Sequence, residues 1–195
     1  MLSSALGEAG STLNVRNLAV SGNTVSLTQA IVDNYFLEHA SCPPFSVIVG
    51  LSLGNEGLAA IHPADSEAIR ACGDNFLSLL QHLTHSITSQ SNNRTRVVLG
   101  SVYPMDGYLP AHVQELRRVF AAMRTWGGAF DDFTDGGWLA DGASSESRVT
   151  VIDFFTETED GYGHWKEGSN TDGTHPNDLG AMLMYQQIDG RLFGL

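Results

Sequence analysis

Val47-Ile48-Val49-Gly50-Leu51-Ser52-Leu53-Gly54-Asn55-Glu56-Gly57 is the stretch most diagnostic of the architecture. A short β-branched apolar run bounded by glycines reads as a buried strand of a parallel sheet. Parallel neighbours need crossover connections, and the flanking sequence supplies them. Downstream, Pro63-Ala64-Asp65-Ser66-Glu67 reads as a helix start, and the helix runs to about Ser89. Its stripe of Ile69, Phe76, Leu79, Leu80, Leu83 and Ile87 suits packing on a sheet. Arg96-Val97-Val98-Leu99-Gly100 is the next strand. Pro110 to Trp126 is a further helix, with Val113, Leu116, Val119, Phe120 and Met123 facing inward, and Val149-Thr150-Val151-Ile152-Asp153-Phe154 is another strand.

Upstream, Val15 to Val20 reads as a strand that runs into the turn Ser21-Gly22-Asn23-Thr24. Val25 to Ala40 then carries Leu27, Ile31, Tyr35 and Leu37 at helical spacing, until Ser41-Cys42-Pro43-Pro44 breaks it. The alternation predicts an α/β three-layer sandwich, a central parallel sheet flanked by helices. No internal repeat or linker divides the 195 residues, so one domain spanning 1–195 is expected.

Composition narrows the function classes. Hydrophobic residues make up 42% of the chain and charged ones 16%, enough for a packed core. A formal net charge of −12 repels phosphate backbones, so nucleic acid is not an expected partner. No apolar run approaches the ~18 residues of a membrane helix. The start carries no basic-then-apolar signal peptide, and the compartment and oligomeric state are left open. Cys42 and Cys72 are too few for a disulfide scaffold; they read either as a pair or as buried free thiols.

The strongest chemical signal lies near the C-terminal end, in Asp172-Gly173-Thr174-His175-Pro176-Asn177-Asp178-Leu179-Gly180. A carboxylate three residues before an imidazole can fix the tautomer of the ring and stabilise its protonated form, as a general base requires. Pro176 is expected to open the apolar helix Ala181-Met182-Leu183-Met184-Tyr185 and so anchor the loop. Asp-Gly and Pro-Asn are also common turn and capping pairs, so the stretch alone supports a purely structural reading too. Asn55, just past the C-terminal end of a strand, sits where open α/β sheets place their sites.

Taken in order, the segments around Gly22, Asn55 and Asp172-x-x-His175 resemble the SGNH hydrolases, the GDSL-type esterase and lipase superfamily, over nearly the whole chain. The resemblance implies that Gly22 N–H and the Asn55 amide form an oxyanion hole, and that Asp172 and His175 are the acid–base pair of a serine-dependent ester hydrolase. It implies a small-molecule, carbohydrate or lipid ester as substrate, and no cofactor. The third block departs from the family pattern, reading Gly54-Asn55-Glu56 where Gly-x-Asn-Asp is usual.

The family's nucleophile block, Gly-Asp-Ser after a first strand, is absent from the chain. Met1 to Gly10 resembles the tail of the first helix, so relative to the family the first strand and its serine are expected to lie upstream. Gly73-Asp74-Asn75 lacks a hydroxyl, and Ala64-Asp65-Ser66 reads as a helix start. Ser101 follows a strand, but no Gly-x-Ser-x-Gly elbow marks it. Two readings stand: an incomplete or inactive ester hydrolase, and a non-catalytic carbohydrate- or ligand-binding relative.

Of the remaining residues, His164 and Trp165 are candidates for a substrate cleft, with a packed loop anchor as the alternative. The segment Gly127 to Arg148 reads as a surface excursion in which Phe133 and Trp138 either line a cleft or fill the core. His62, His82, His85 and His112 fall on helices or helix starts and read as surface or core histidines. The carboxylates Asp153, Glu157, Glu159 and Asp160 with Asp172 suggest calcium, but Asn170-x-Asp172-Gly173 only partly mimics an EF-hand loop and the bidentate Glu at the required offset is absent, so no metal is expected.

Overall fold

A computed structural model describes residues 16–41, 44, 46–92, 95–127 and 149–188, without the side chains of 126 and 127. Three strands, β1 (Ser46–Gly50), β2 (Arg96–Gly100) and β3 (Val149–Ile152), form a parallel sheet in the order β1-β2-β3. Val47 lies opposite Val97, and Val97 opposite Val149. Four helices accompany the sheet: α1 (Val25–Glu38), α2 (Ser66–Gln90), α3 (Pro110–Gly127) and α4 (Asp178–Tyr185). The chain therefore has the expected α/β architecture.

Strand alternation sorts the two faces of the sheet. Val47, Val49, Val97, Leu99, Val149 and Val151 share the main core with Leu80, Leu83 and Ile87 of α2 and Leu116, Val119 and Met123 of α3. On the opposite face Val98 and Ile152 pack with Phe154 and with Ile188, just beyond α4. Ile48 shares that second face and is 51% exposed. Among the described residues nothing pairs with the outer edge of β1. No helix among them is long and apolar enough to cross a membrane.

The helix starts follow local chemistry. Asp65 caps α2 by accepting the Ala68 N–H at 3.0 Å, and Thr24 caps α1 by accepting the Leu27 N–H at 3.3 Å. The start of α4 differs from expectation. Pro176 precedes the helix, and Asn177 is the cap, its Oδ1 accepting the N–H groups of Leu179 and Gly180. A side-chain acceptor satisfies two orphan donors there, which a proline ring cannot do.

Two further expectations are corrected. Arg16 to Val20 forms no strand. Asn17 Oδ1 takes the Ala19 N–H at 2.9 Å, a local bond that competes with strand pairing, and Val20 is 55% exposed. On α1 the buried face is Val25, Val32 and Phe36, whereas Leu27 and Leu37 point to solvent. Polar contacts turn the helix that way: Asp33 faces α2 and accepts from Gln29 of its own helix and from Ser86 and Gln90. Burial works against the charge of Asp33, but these three bonds outweigh it and hold the carboxyl below its usual range. Cys42, Phe133, Trp138 and most of the excursion after Gly127 lie outside the described residues. Cys72 is a free thiol, and burial pushes its pKa up.

Candidate active site at the C-terminal ends of the strands

The segments that follow β1, β2 and β3 come together at one end of the sheet. After β1, residues 51–57 turn sharply, with Gly54 N–H donating to Ser52 Oγ and Asn55 N–H to Ser52 O. Asn55 is exposed, and its Nδ2 donates to Asn23 O at 3.0 Å, beside Gly22. Gly22 has φ +74°, a left-handed conformation in which a β-carbon is strained, and this sets the turn into α1. Glu56, the residue that departs from the family pattern, accepts the Val25 N–H at 2.7 Å. The Gly22 turn and the Asn55 loop are thus fastened to each other by Asn55 and Glu56.

After β2, residues 101–109 lie between that pair of loops and the His175 loop. A β-carbon at Gly54 would sit 2.9 Å from the Met105 methyl and 3.4 Å from Tyr108 Oη. Burial pushes the Tyr108 phenol well above its usual range. On the other side, Asp106 N–H donates to Gly173 O at 2.8 Å. Asp106 Oδ1 accepts the Trp165 N–H at 3.0 Å, and Oδ2 accepts from Asn170 Nδ2 at 3.2 Å.

After β3, the loop reaches Asp172 and His175. His175 Nδ1 lies 2.9 Å from Asp172 Oδ2. A carboxylate only accepts, so the proton sits on Nδ1 and the neutral ring keeps Nε2 as an acceptor. Nothing among the described residues occupies Nε2. Asp172 Oδ1 also accepts the Thr174 and His175 N–H groups at 3.0 and 2.8 Å. The His175 side chain and these two N–H groups hold the Asp172 carboxyl down to about 2. Both side chains are open to water, His175 at 67% and Asp172 at 53% exposure, so solvent screens their attraction.

Not every candidate faces solvent in this way. The Trp165 ring is 4% exposed and packs 6.0 Å from Tyr103, a loop anchor in its geometry. His164 donates through Nε2 to Tyr108 O at 3.1 Å, with Asp160 near its other nitrogen. Ser101 is 1% exposed and fully committed: its Oγ accepts from Phe154 and Phe155 N–H and donates to Val102 O. It cannot meet a substrate without unravelling the ends of β2 and β3. His112 is a core histidine, accepting the Leu109 N–H at Nδ1 and donating from Nε2 to Ile61 O.

Asp106 and Glu56 are the polar groups that motif reading passed over. Pro104-Met105-Asp106-Gly107 looks like an ordinary turn, and Glu56 like a misplaced motif residue. Only the approach of distant loops shows what they hold.

No protein-family model matches the chain, and no curated protein matches it by sequence. Solved structures do. A carbohydrate esterase family 3 protein from Talaromyces cellulolyticus aligns with 98% of this chain and 86% of its own, at 15% identity and a TM-score of 0.60. TesA aligns with 94% of this chain and 81% of its own, at 18% identity and a TM-score of 0.58. A Bacteroides fragilis protein assigned as an acylhydrolase aligns with 98% and 78%, at 12% identity and a TM-score of 0.59. At such identities the likeness is one of fold. The chain has the α/β fold of these three structures.

Proposed function

We propose that this chain carries the acid–base and oxyanion-binding half of an SGNH-type ester hydrolase, acting on a small acyl ester such as an acetylated carbohydrate or a lipid ester. The observation that carries the reading is the 2.9 Å contact between His175 Nδ1 and Asp172 Oδ2, which leaves Nε2 open as a base. The loop that bears this pair lies at the same end of a parallel sheet as Gly22 and Asn55.

In the reaction a hydroxyl oxygen attacks the acyl carbon while His175 Nε2 takes its proton. Asp172 keeps the ring in the Nδ1–H tautomer and stabilises the imidazolium. Gly22 N–H has no partner among the described residues, and Asn55 Nδ2 has a second hydrogen beyond the one given to Asn23. Both are available to the oxyanion, each such donor lowering the barrier by ~3 kcal/mol. Collapse of the tetrahedral intermediate expels the alcohol, which receives the proton from His175. Water then repeats the sequence on the acyl intermediate. No step needs a cofactor.

The hydroxyl is not a Gly-Asp-Ser within the chain, and buried Ser101 is a poor substitute. That absence favours a second reading, a relative that binds a carbohydrate or similar ligand in the cleft without cleaving it. Hydrolysis of p-nitrophenyl acetate separates the two. The chain is assayed alone, with His175→Ala, and with an N-terminal extension whose strand ends in Gly-Asp-Ser. Activity that appears with the extension and disappears with His175→Ala supports the hydrolase half-site. A folded, extended chain without activity overturns it and leaves the binding relative.

A further inference from the structure

We propose that Asp106 is a positioning residue for the Asp172–His175 pair. This rests on reading that pair as the acid–base unit, but its physical content is independent of turnover. Asp172 and His175 are both largely exposed, and the bonds between them and their own backbone are local. Local bonds set the shape of the loop without fixing where it stands. Asp106, on the segment after β2, supplies the outside hold.

The contacts form a closed ring. Asp106 N–H donates to Gly173 O, Asn170 Nδ2 donates to Asp106 Oδ2, and Asn170 Oδ1 accepts the Gly173 N–H at 2.7 Å. Gly173, the residue between Asp172 and Thr174, is thereby gripped at both its N–H and its carbonyl. The other Asp106 oxygen accepts from Trp165 N–H, and the Trp165 ring is 4% exposed, so the ring of bonds is tied to a buried anchor. Carboxylate acceptors make stronger bonds than neutral ones. Asp106 is itself exposed, and its side-chain bonds run to the segment 165–170 rather than into the sheet. Its removal should therefore loosen the loop more than the fold.

The test reads the tautomer of the His175 ring from its 15N shifts, at a pH where the ring is neutral. In the native chain the Nδ1–H form should dominate, and Asp172→Ala supplies the reference for a ring without its acceptor. Asp106→Ala is expected to move the tautomer ratio about fivefold toward Nε2–H, the change that one hydrogen bond makes. Asp106→Asn, which keeps one acceptor oxygen, should move it less. Thermal melting reads separately the cost of leaving the Trp165 N–H without its acceptor. Asn170→Ala cuts the same ring from the other side and serves if Asp106→Ala fails to fold. A native tautomer ratio in a folded Asp106→Ala or Asn170→Ala chain overturns the proposal. Failure of ester hydrolysis leaves this readout untouched, so the two readings fail separately.

Discussion

The Glu56 carboxylate accepts the backbone N–H of Val25, the first residue of α1, at 2.7 Å. The contact joins the loop after β1 to a helix that starts 31 residues earlier in the chain. It places a negative group at a helix N-terminus, where it meets the positive end of the dipole and an orphan donor. Val25 is buried, so water is a poor substitute acceptor. Glu56→Ala is expected to destabilise the fold by about 1–2 kcal/mol, and Glu56→Gln by less because a neutral acceptor remains. Urea unfolding checks both. The same loss would weaken the hold of the Asn55 loop on the Gly22 turn, leaving the Asn55–Asn23 bond, so any ester hydrolysis by an extended chain should fall further than stability does.

Asp172 gives a pH signature with a definite sign. Its folded value of about 2 lies below the ordinary 3.8, so the contribution of the pair is fully present above pH 3.8. As pH falls through 3.8 toward about 2, the unfolded chain takes up the proton first and the contribution is lost. Native and Asp172→Asn chains should therefore differ in stability just above that window and converge within it. Denaturant unfolding across the acid range reads the difference. A gap that widens on acidification would contradict the hydrogen-bond pattern around Asp172.

Much of the architecture was legible because parallel strands are short β-branched runs and their crossovers are amphipathic helices. Val47 to Gly50, Arg96 to Gly100 and the stripe from Ile69 to Ile87 needed no tertiary information. The segment Arg16 to Val20 failed because Asn17 binds its own backbone, which apolar spacing does not reveal. The face of α1 failed because Leu27 and Leu37 carry the same hydropathy as the buried residues, and only the polar contacts of Asp33 choose between them. In the site, the Asp172–His175 pair is a local contact and so can be read from spacing. Asp106 reaches Asn170 across 64 positions, and no local pattern encodes that.

Ser101 separates a structural hydroxyl from a chemical one. Its Oγ accepts the Phe154 N–H at 2.8 Å and the Phe155 N–H at 3.1 Å, and donates to Val102 O at 3.0 Å. Ser101→Ala leaves the Phe154 N–H without that acceptor, while the Phe155 N–H keeps Asp153 Oδ1 at 3.0 Å, and should cost about 1–3 kcal/mol. Thermal melting gives the cost. Any ester hydrolysis by the folded fraction should persist per folded molecule. Its complete loss in a folded Ser101→Ala chain would make this hydroxyl a nucleophile after all.

Gly180 tests how the His175 loop is seated on α4. The Ser169 carbonyl oxygen and the Pro176 ring occupy the space where a β-carbon would project, and the oxygen belongs to rigid backbone. That approach lets Asn177 N–H reach Ser169 O and lets Asn177 Nδ2 reach the carbonyls of Gly168 and Asn170. Asn177 in turn caps the helix through the Gly180 N–H itself. Alanine favours a helix interior by about 1 kcal/mol over glycine, so propensity alone predicts a gain. Overlap with the backbone should outweigh it, giving a net loss of about 1–3 kcal/mol in urea unfolding. Because the clash is with Ser169 and Pro176, which flank the His175 loop, the ring signals of His175 should shift as well. A Gly180→Ala chain that is more stable, with unchanged His175 signals, would mean that α4 is not packed on Ser169 as described.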